Sequence, residues 1–197
     1  MASLSLPPIA TLASLPVEDI TAALDLLFEH SKDLHTLAVP AIRSTASSGG
    51  LNSYDDVADT VRTQLLELQN QVATFVDPKP TQAALAAKSK LLNILCAHPR
   101  LGAKKVESAQ SVAEQAQLNK ASANEARLLA ALNAEYEAAF PGLVYVVFVN
   151  GRSRDEIMEN MRARIDRGVY ALEEVEAIEA MTCIAKDRAN KLTHGGK

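Results

Sequence analysis

Four short runs of this chain carry residue types suited to moving a proton or holding an anion. They are His98-Pro99-Arg100-Leu101-Gly102, Ser111-Val112-Ala113-Glu114-Gln115, the apolar run 143–149, and Asn150-Gly151-Arg152-Ser153. His98 is the leading candidate for an acid/base, because an imidazole titrates near neutral pH and both gives and takes a proton at modest cost. Pro99 fixes the exit of the chain and would hold that ring at a helix end. The competing reading has His98 satisfying backbone carbonyls at the same helix end. Ser111-x-x-Glu114 has capping-box spacing, in which hydroxyl and carboxylate satisfy free amides at a helix start. The same pair, with Gln115 beside it as an amide donor and acceptor, could instead face a ligand. Spacing alone leaves both readings open. Arg152 could clamp a carboxylate through its planar fork, or be a solvated charge at a turn, as Arg154 and Arg162 nearby can be.

Other chemistries are not signalled. Cys96-x-His98 offers two donors with no carboxylate or histidine at recognised ligand spacing, so no metal centre is expected. His30, His35 and His194 are read as structural, because nothing around them in sequence suggests a site. The eight glycines form no G-x-G-x-x-G fingerprint, and no G-x-S-x-G elbow is present. What remains is proton handling without a cofactor.

The elements that must position these residues are helical. The chain has 197 residues, 48% of them hydrophobic and only 4% aromatic, so aliphatic side chains fill one domain's core. A net charge of −4 with no basic run disfavours nucleic acid as a partner. No apolar run approaches the roughly 20 residues that span a bilayer, so no membrane partner is expected either. Cys96 and Cys183 read as reduced thiols. Residues 1–16 make a poor signal peptide, and Gly195-Gly196-Lys197 is not a peroxisomal tripeptide. The expected compartment is the cytoplasm, with the peroxisome as alternative.

Apolar spacing predicts a helix from Val17 to Glu29 or His30, and another over Lys32 to Ser44 that Pro40 should kink or split. Further helices are predicted from Ser53 to about Phe75, from Thr81 to about Ala97, near 108–119, over 123–140, from Ser153 to about Arg167, and over 171–192. Stripes of Val57, Val61, Leu65, Leu68 and Val72, and of Leu85, Leu91, Leu92 and Leu95, should face the core. The run Leu143-Val144-Tyr145-Val146-Val147-Phe148-Val149 alone reads as a buried strand. No second strand exists to pair with it. It is therefore expected to be an extended apolar segment among helices, with backbone groups partly open to a ligand. The sum is an all-α, single-domain bundle of about eight helices. Residues 1–13 are expected to be a flexible start, 14–192 the folded domain, and 193–197 a flexible tail.

Taken in order, these motifs resemble one family. Phe28-Glu29-His30-Ser31, Ala97 to Gly102, Ser111-x-x-Glu114-Gln115, Leu132-Asn133-x-x-Tyr136-x-x-x-Phe140, and Gly151-Arg152-Ser153 leading into Glu156-Ile157 are similar to the decarboxylases of 2-oxo-4-hydroxy-4-carboxy-5-ureidoimidazoline (OHCU). The resemblance implies an all-α enzyme on the route from urate to (S)-allantoin, often homodimeric, acting on a small molecule without metal or cofactor. It implies that His98 is the catalytic acid/base and that Glu114 acts with it. It places substrate contacts at Pro99, Ser111 and Gln115, and backbone contacts along Tyr145, Val146, Val147, Phe148 and Val149. Many members carry an Arg directly after that segment, where this chain has Asn150. Arg152 is the candidate to bind the carboxylate in its place. A decarboxylase of a related ureido or hydroxy acid, or a non-catalytic helical protein of the same fold, are the alternatives.

Overall fold

In a computed structural model, residues 5–73, 81–103, 110–112 and 123–194 are described. Among them there is no strand, and the protein is an all-α single domain. The helices run in order as α1 (Ile9–Leu12), α2 (Val17–Leu27), α3 (Lys32–Ser47), α4 (Tyr54–Ala73) and α5 (Gln82–Leu95). They continue with α6 (Ala123–Ala139), α7 (Arg154–Arg167) and α8 (Tyr170–His194). Residues 110–112 are helical as well.

The capping chemistry explains most boundaries. Ser31 Oγ accepts from the Leu34 amide at the start of α3, and Thr81 Oγ1 from the Ala84 amide at the start of α5. Ser153 and Glu156 close a full capping box on α7, and Gly168, left-handed at φ 63°, ends that helix. At the start of α4, Asp56 Oδ2 accepts from the amides of Asn52 and Ser53, both at 2.8 Å.

Two boundaries differ from the sequence expectation. Helix α2 stops at Leu27 because Phe28 leaves the helical region at ψ −140°, which turns Glu29 and His30 into the junction before α3. Helix α3 neither splits at Pro40 nor ends at Ser44, but runs on to Ser47. Proline there removes one backbone donor. The ring sits on the exposed side, while Leu34, Ala38, Val39 and Ile42 bury the opposite face and hold the helix through it.

The long helix α8 is the centre of the core. Ala177, Ile178, Met181, Ile184, Ala185 and Ala189 of α8 are buried, as are Val57, Ala58, Val61 and Leu65 of α4, against which α8 packs most extensively. Helices α2 and α5 also lean on α8, and α3 lies against α4. Arg62 of α4 makes a bidentate pair with Glu179 of α8, its Nε 2.8 Å from Oε2. The expected α4 stripe is buried at Val57, Val61, Leu65 and Leu68; Val72 lies outside the described side chains. On α5 the stripe is Leu91, Ile94 and Leu95, whereas Leu85 is half exposed. Near the start of the chain Leu12 is buried, and the hydroxyl of Tyr54 donates to the carbonyl of Pro7 at 2.6 Å.

The run 143–149 is irregular, without helix or ladder pairing. Helices α7 and α8 hold it through a buried charged cluster. Arg164, 3% exposed, donates through Nη1 to the Val146 carbonyl at 3.1 Å and pairs with Glu173, which is 0% exposed. Glu173 also accepts from the Tyr136 hydroxyl. Two buried charges cost several kcal/mol to desolvate, and mutual pairing plus extra hydrogen bonds offsets that cost. The cluster thus does what a neighbouring strand would have done, satisfying a buried carbonyl that no sheet reaches.

Candidate active site

His98 emerges just beyond α5, where Cys96 caps the helix. The loop carrying it is anchored to α6 by two polar contacts and to the core by Leu101. Asn133 Nδ2 donates to the Leu101 carbonyl at 3.1 Å, Arg100 Nε lies 2.7 Å from Glu137 Oε1, and Leu101 is buried. Gly102 has φ +77°, and a Cβ there would stand 2.9 Å from Leu129 Cδ2 of α6. Only glycine takes that turn without strain while allowing the close approach. The motif His98 to Gly102 is therefore a rigid mount for the imidazole.

The ring is sheltered, its side chain 12% exposed. Its Nδ1 lies 3.9 Å from Oε1 of Glu29, within ion-pair range and longer than a hydrogen bond. That same Oε1 accepts from Ser111 Oγ at 2.6 Å and from Arg188 Nη2 at 2.9 Å. Arg188 Nη2 also lies 2.8 Å from Ser111 Oγ, and its Nη1 donates to the carbonyl of Phe28. Arg188 is 2% exposed on the core side of α8. The guanidinium fixes the α2–α3 junction by its carbonyl and neutralises Glu29 at once. Four residues from distant parts of the chain, Glu29, His98, Ser111 and Arg188, thus form one nearly dry polar cluster.

Of the residues expected from sequence, His98 and Ser111 meet in this cluster. Ser111 lies within helical residues 110–112 and turns its hydroxyl to Glu29. Glu114 and Gln115 lie outside the described residues. Pro99 is half-buried next to His98. The segment 143–149 begins beside the same helix end, where the Cys96 thiol donates to the Gly142 carbonyl at 2.9 Å. Burial of that sulfur pushes the thiol pKa up, and the Val144 amide opposes the shift; Cys96 is a neutral donor rather than a thiolate. Among the described residues, the amides of Tyr145, Val146, Val147, Phe148 and Val149 have no hydrogen-bond partner. The side chain of Tyr145 is an anchor: its ring is buried, and its hydroxyl donates to Asn160 Oδ1 at 2.6 Å. Burial raises that hydroxyl's pKa to about 12.

Asn150 and Arg152 belong to a tight turn. Asn150 and Gly151 both have positive φ, 42° and 74°, and the Arg152 amide donates back to the Val149 carbonyl at 2.9 Å. This is the turn geometry that Asn-Gly favours. Asn tolerates the left-handed region better than Arg does, which accounts for Asn150 locally. The Arg152 guanidinium folds over the same turn, donating to the carbonyls of Phe148 and Val149.

Sequence reasoning missed Glu29 and Arg188 as members of the site. A signal for Arg188 exists in the α8 pattern. Met181, Ile184, Ala185 and Ala189 bury one stripe, and Arg188 stands on that stripe as a lone charge. Glu29 lies in the Phe28-Glu29-His30-Ser31 run, directly after the helix stops.

A family model described as OHCU decarboxylase matches residues 13–190 of this chain. No curated protein matches it. The chain contains no helix, among the described residues, that is long and apolar enough to cross a membrane.

Proposed function

The chain belongs to the OHCU decarboxylase family, a decarboxylase family of purine degradation, and from that premise we propose that it converts OHCU to (S)-allantoin by stereospecific proton delivery, without metal or cofactor. The observation that carries this reading is the sheltered imidazole of His98 facing a neutralised, fixed carboxylate at 3.9 Å.

The substrate carries its carboxylate on a carbon flanked by a hydroxyl and by electron-withdrawing ring groups. Loss of carbon dioxide sends the bonding pair towards the neighbouring ureido-bearing carbon and the ring C=N, leaving an enolate-like species. The hydroxyl-bearing carbon becomes the product's carbonyl as its hydroxyl proton leaves, and the new C–H bond forms at the ureido-bearing carbon. Glu114 holds the proton of the substrate hydroxyl. The unpartnered amides along 145–149 are preorganised donors for the developing oxyanion, a kind of contact worth about 3–4 kcal/mol where it has been removed by mutation. His98 then gives its proton to one face of the carbanion, which sets the configuration of the product. Glu29 keeps the imidazole oriented, while Arg188 fixes the Glu29 carboxylate in place. Ser111, Pro99 and Gln115 shape the substrate side, and Arg152 offers the cation for the carboxylate. The reading carries a homodimer in the cytoplasm as its assembly and place.

The test is a His98→Asn variant assayed with freshly made OHCU by circular dichroism, which follows the chiral product. Stereoselective allantoin formation disappears while the far-ultraviolet spectrum stays that of the parent. Full turnover in the variant removes His98 from the mechanism.

A further inference from the structure

Away from the His98 cluster, three donor side chains converge where α2 hands over to α3. Asp25 stands on α2, His30 in the junction, and His35 on α3. Asp25 Oδ2 is 2.9 Å from His30 Nδ1, and Asp25 Oδ1 is 2.6 Å from His35 Nε2. One ligand atom from each residue falls within 4.8 Å of the other two. The imidazole rings meet edge to face, with centroids 5.2 Å apart. From sequence alone both histidines read as structural. The early stop of α2 at Leu27 is what brings them to one carboxylate.

We propose that Asp25, His30 and His35 form a binding site for a late first-row divalent cation, with zinc the best match, and water filling the remaining position. Two imidazoles and a carboxylate are the donor set such ions take, and the hard cations magnesium and calcium prefer all-oxygen shells. A zinc ion holds nitrogen and oxygen ligands at about 2.0–2.2 Å, so neighbouring ligand atoms sit roughly 3.3 Å apart. The two Asp25–histidine separations are already shorter than that, and opening them admits the ion. The histidine nitrogens, at most 4.8 Å apart, need a small approach. His30 can supply it, because its side chain is 68% exposed, while His35 at 15% and Asp25 at 31% stay seated. Each nitrogen already points at the carboxylate, so the cation replaces the proton that now joins them. Bound there, the ion clips the end of α2 to the first turns of α3 across the break at Phe28 to Ser31. The site shares no side chain with the His98 cluster and does not depend on the decarboxylase reading.

The test uses the full chain without an affinity tag. Zinc chloride is titrated in competition with a chromophoric chelator, and cobalt(II) supplies visible ligand-field bands that report the coordination shell. The parent binds one equivalent of zinc and gives cobalt bands of a four- or five-coordinate ion, and its Tm rises with zinc concentration. His30→Ala and His35→Ala each weaken zinc at least about 100-fold, more than loss of an outer-shell partner costs, and His194→Ala changes nothing. His30→Ala is informative even if His35→Ala folds poorly, since His30 is mostly in solvent. Less than one equivalent bound by the parent, or zinc affinity in His30→Ala within about twofold of the parent, overturns the proposal.

Discussion

At the residue scale the cluster around Glu29 sets what single substitutions do. Arg188 places its guanidinium 2.9 Å from Glu29 Oε1, deep in the core. Arg188→Met takes a buried cation away from that carboxylate, and removing one partner of a buried pair costs about 3–5 kcal/mol. Urea unfolding measures this directly. The double variant Glu29→Gln/Arg188→Met, which removes both charges, recovers most of the loss, whereas two independent contacts would add. Activity separates from stability at the neighbouring position. His98→Asn lowers turnover and stereoselectivity while its unfolding midpoint stays close to the parent's, because a side chain at the edge of the cluster contributes little apolar burial. The place of His98 at a helix end was legible in the sequence, because an imidazole before Pro99 is a local pattern. Its partner was not, because Glu29 and Arg188 are 159 positions apart and meet only when α8 packs beside α2.

At the scale of elements, start and stop signals were legible wherever a side chain caps the backbone. Ser153 with Glu156 reads directly as a box, and the structure forms it. Ser153→Ala removes it, and loss of such a cap costs about 1 kcal/mol, measured as a shift of the unfolding midpoint. The cap also gives a pH dependence with a definite sign. The Ser153 hydroxyl and amide hold the Glu156 carboxyl below its ordinary value of 4.5. At the start of α4 the Asn52 amide, with Ser53, does the same to Asp56, whose ordinary value is 3.8. A carboxyl whose pKa is lowered by folding stabilises the protein above its unfolded value and loses that contribution as pH falls through the folded one. The stability difference between parent and Glu156→Gln is therefore full near neutrality and shrinks below pH 4.5. Pro40 and the run 143–149 were less legible, for opposite reasons. A proline rule sees only the lost donor, not the buried face that carries α3 past it. A β-like composition states that the run is buried, but the donor to its Val146 carbonyl comes from Arg164, eighteen residues on. Gly102 joins element to site. Gly102→Ala places a Cβ 2.9 Å from Leu129 Cδ2 at φ +77°, and the left-handed conformation alone costs about 1–2 kcal/mol. Turnover falls as well, since the shift is transmitted to the mount of His98.

Across the whole molecule, the fold class could be read from helical periodicity alone, because each apolar stripe faces one common core and needs no knowledge of its partner. The assembly of the site could not, since it draws on the α2–α3 junction, the end of α5, residues 110–112 and the last third of α8. That dispersion has a thermodynamic consequence. No subset of neighbouring helices contains the cluster, so it exists only when α8 is packed against both α2 and α5. Decarboxylase activity and helical circular dichroism should therefore vanish together in urea, at one midpoint, as a cooperative two-state unit requires. Ile178, 0% exposed on α8, tests this from a distance. Ile178→Ala deletes core volume without touching the cluster, and such a truncation costs about 2–5 kcal/mol. Both midpoints move down by the same amount, while turnover without urea stays at the parent value. If activity were lost at a lower urea concentration than helicity, the junction carrying Glu29 would be opening locally, ahead of the core that α8 organises.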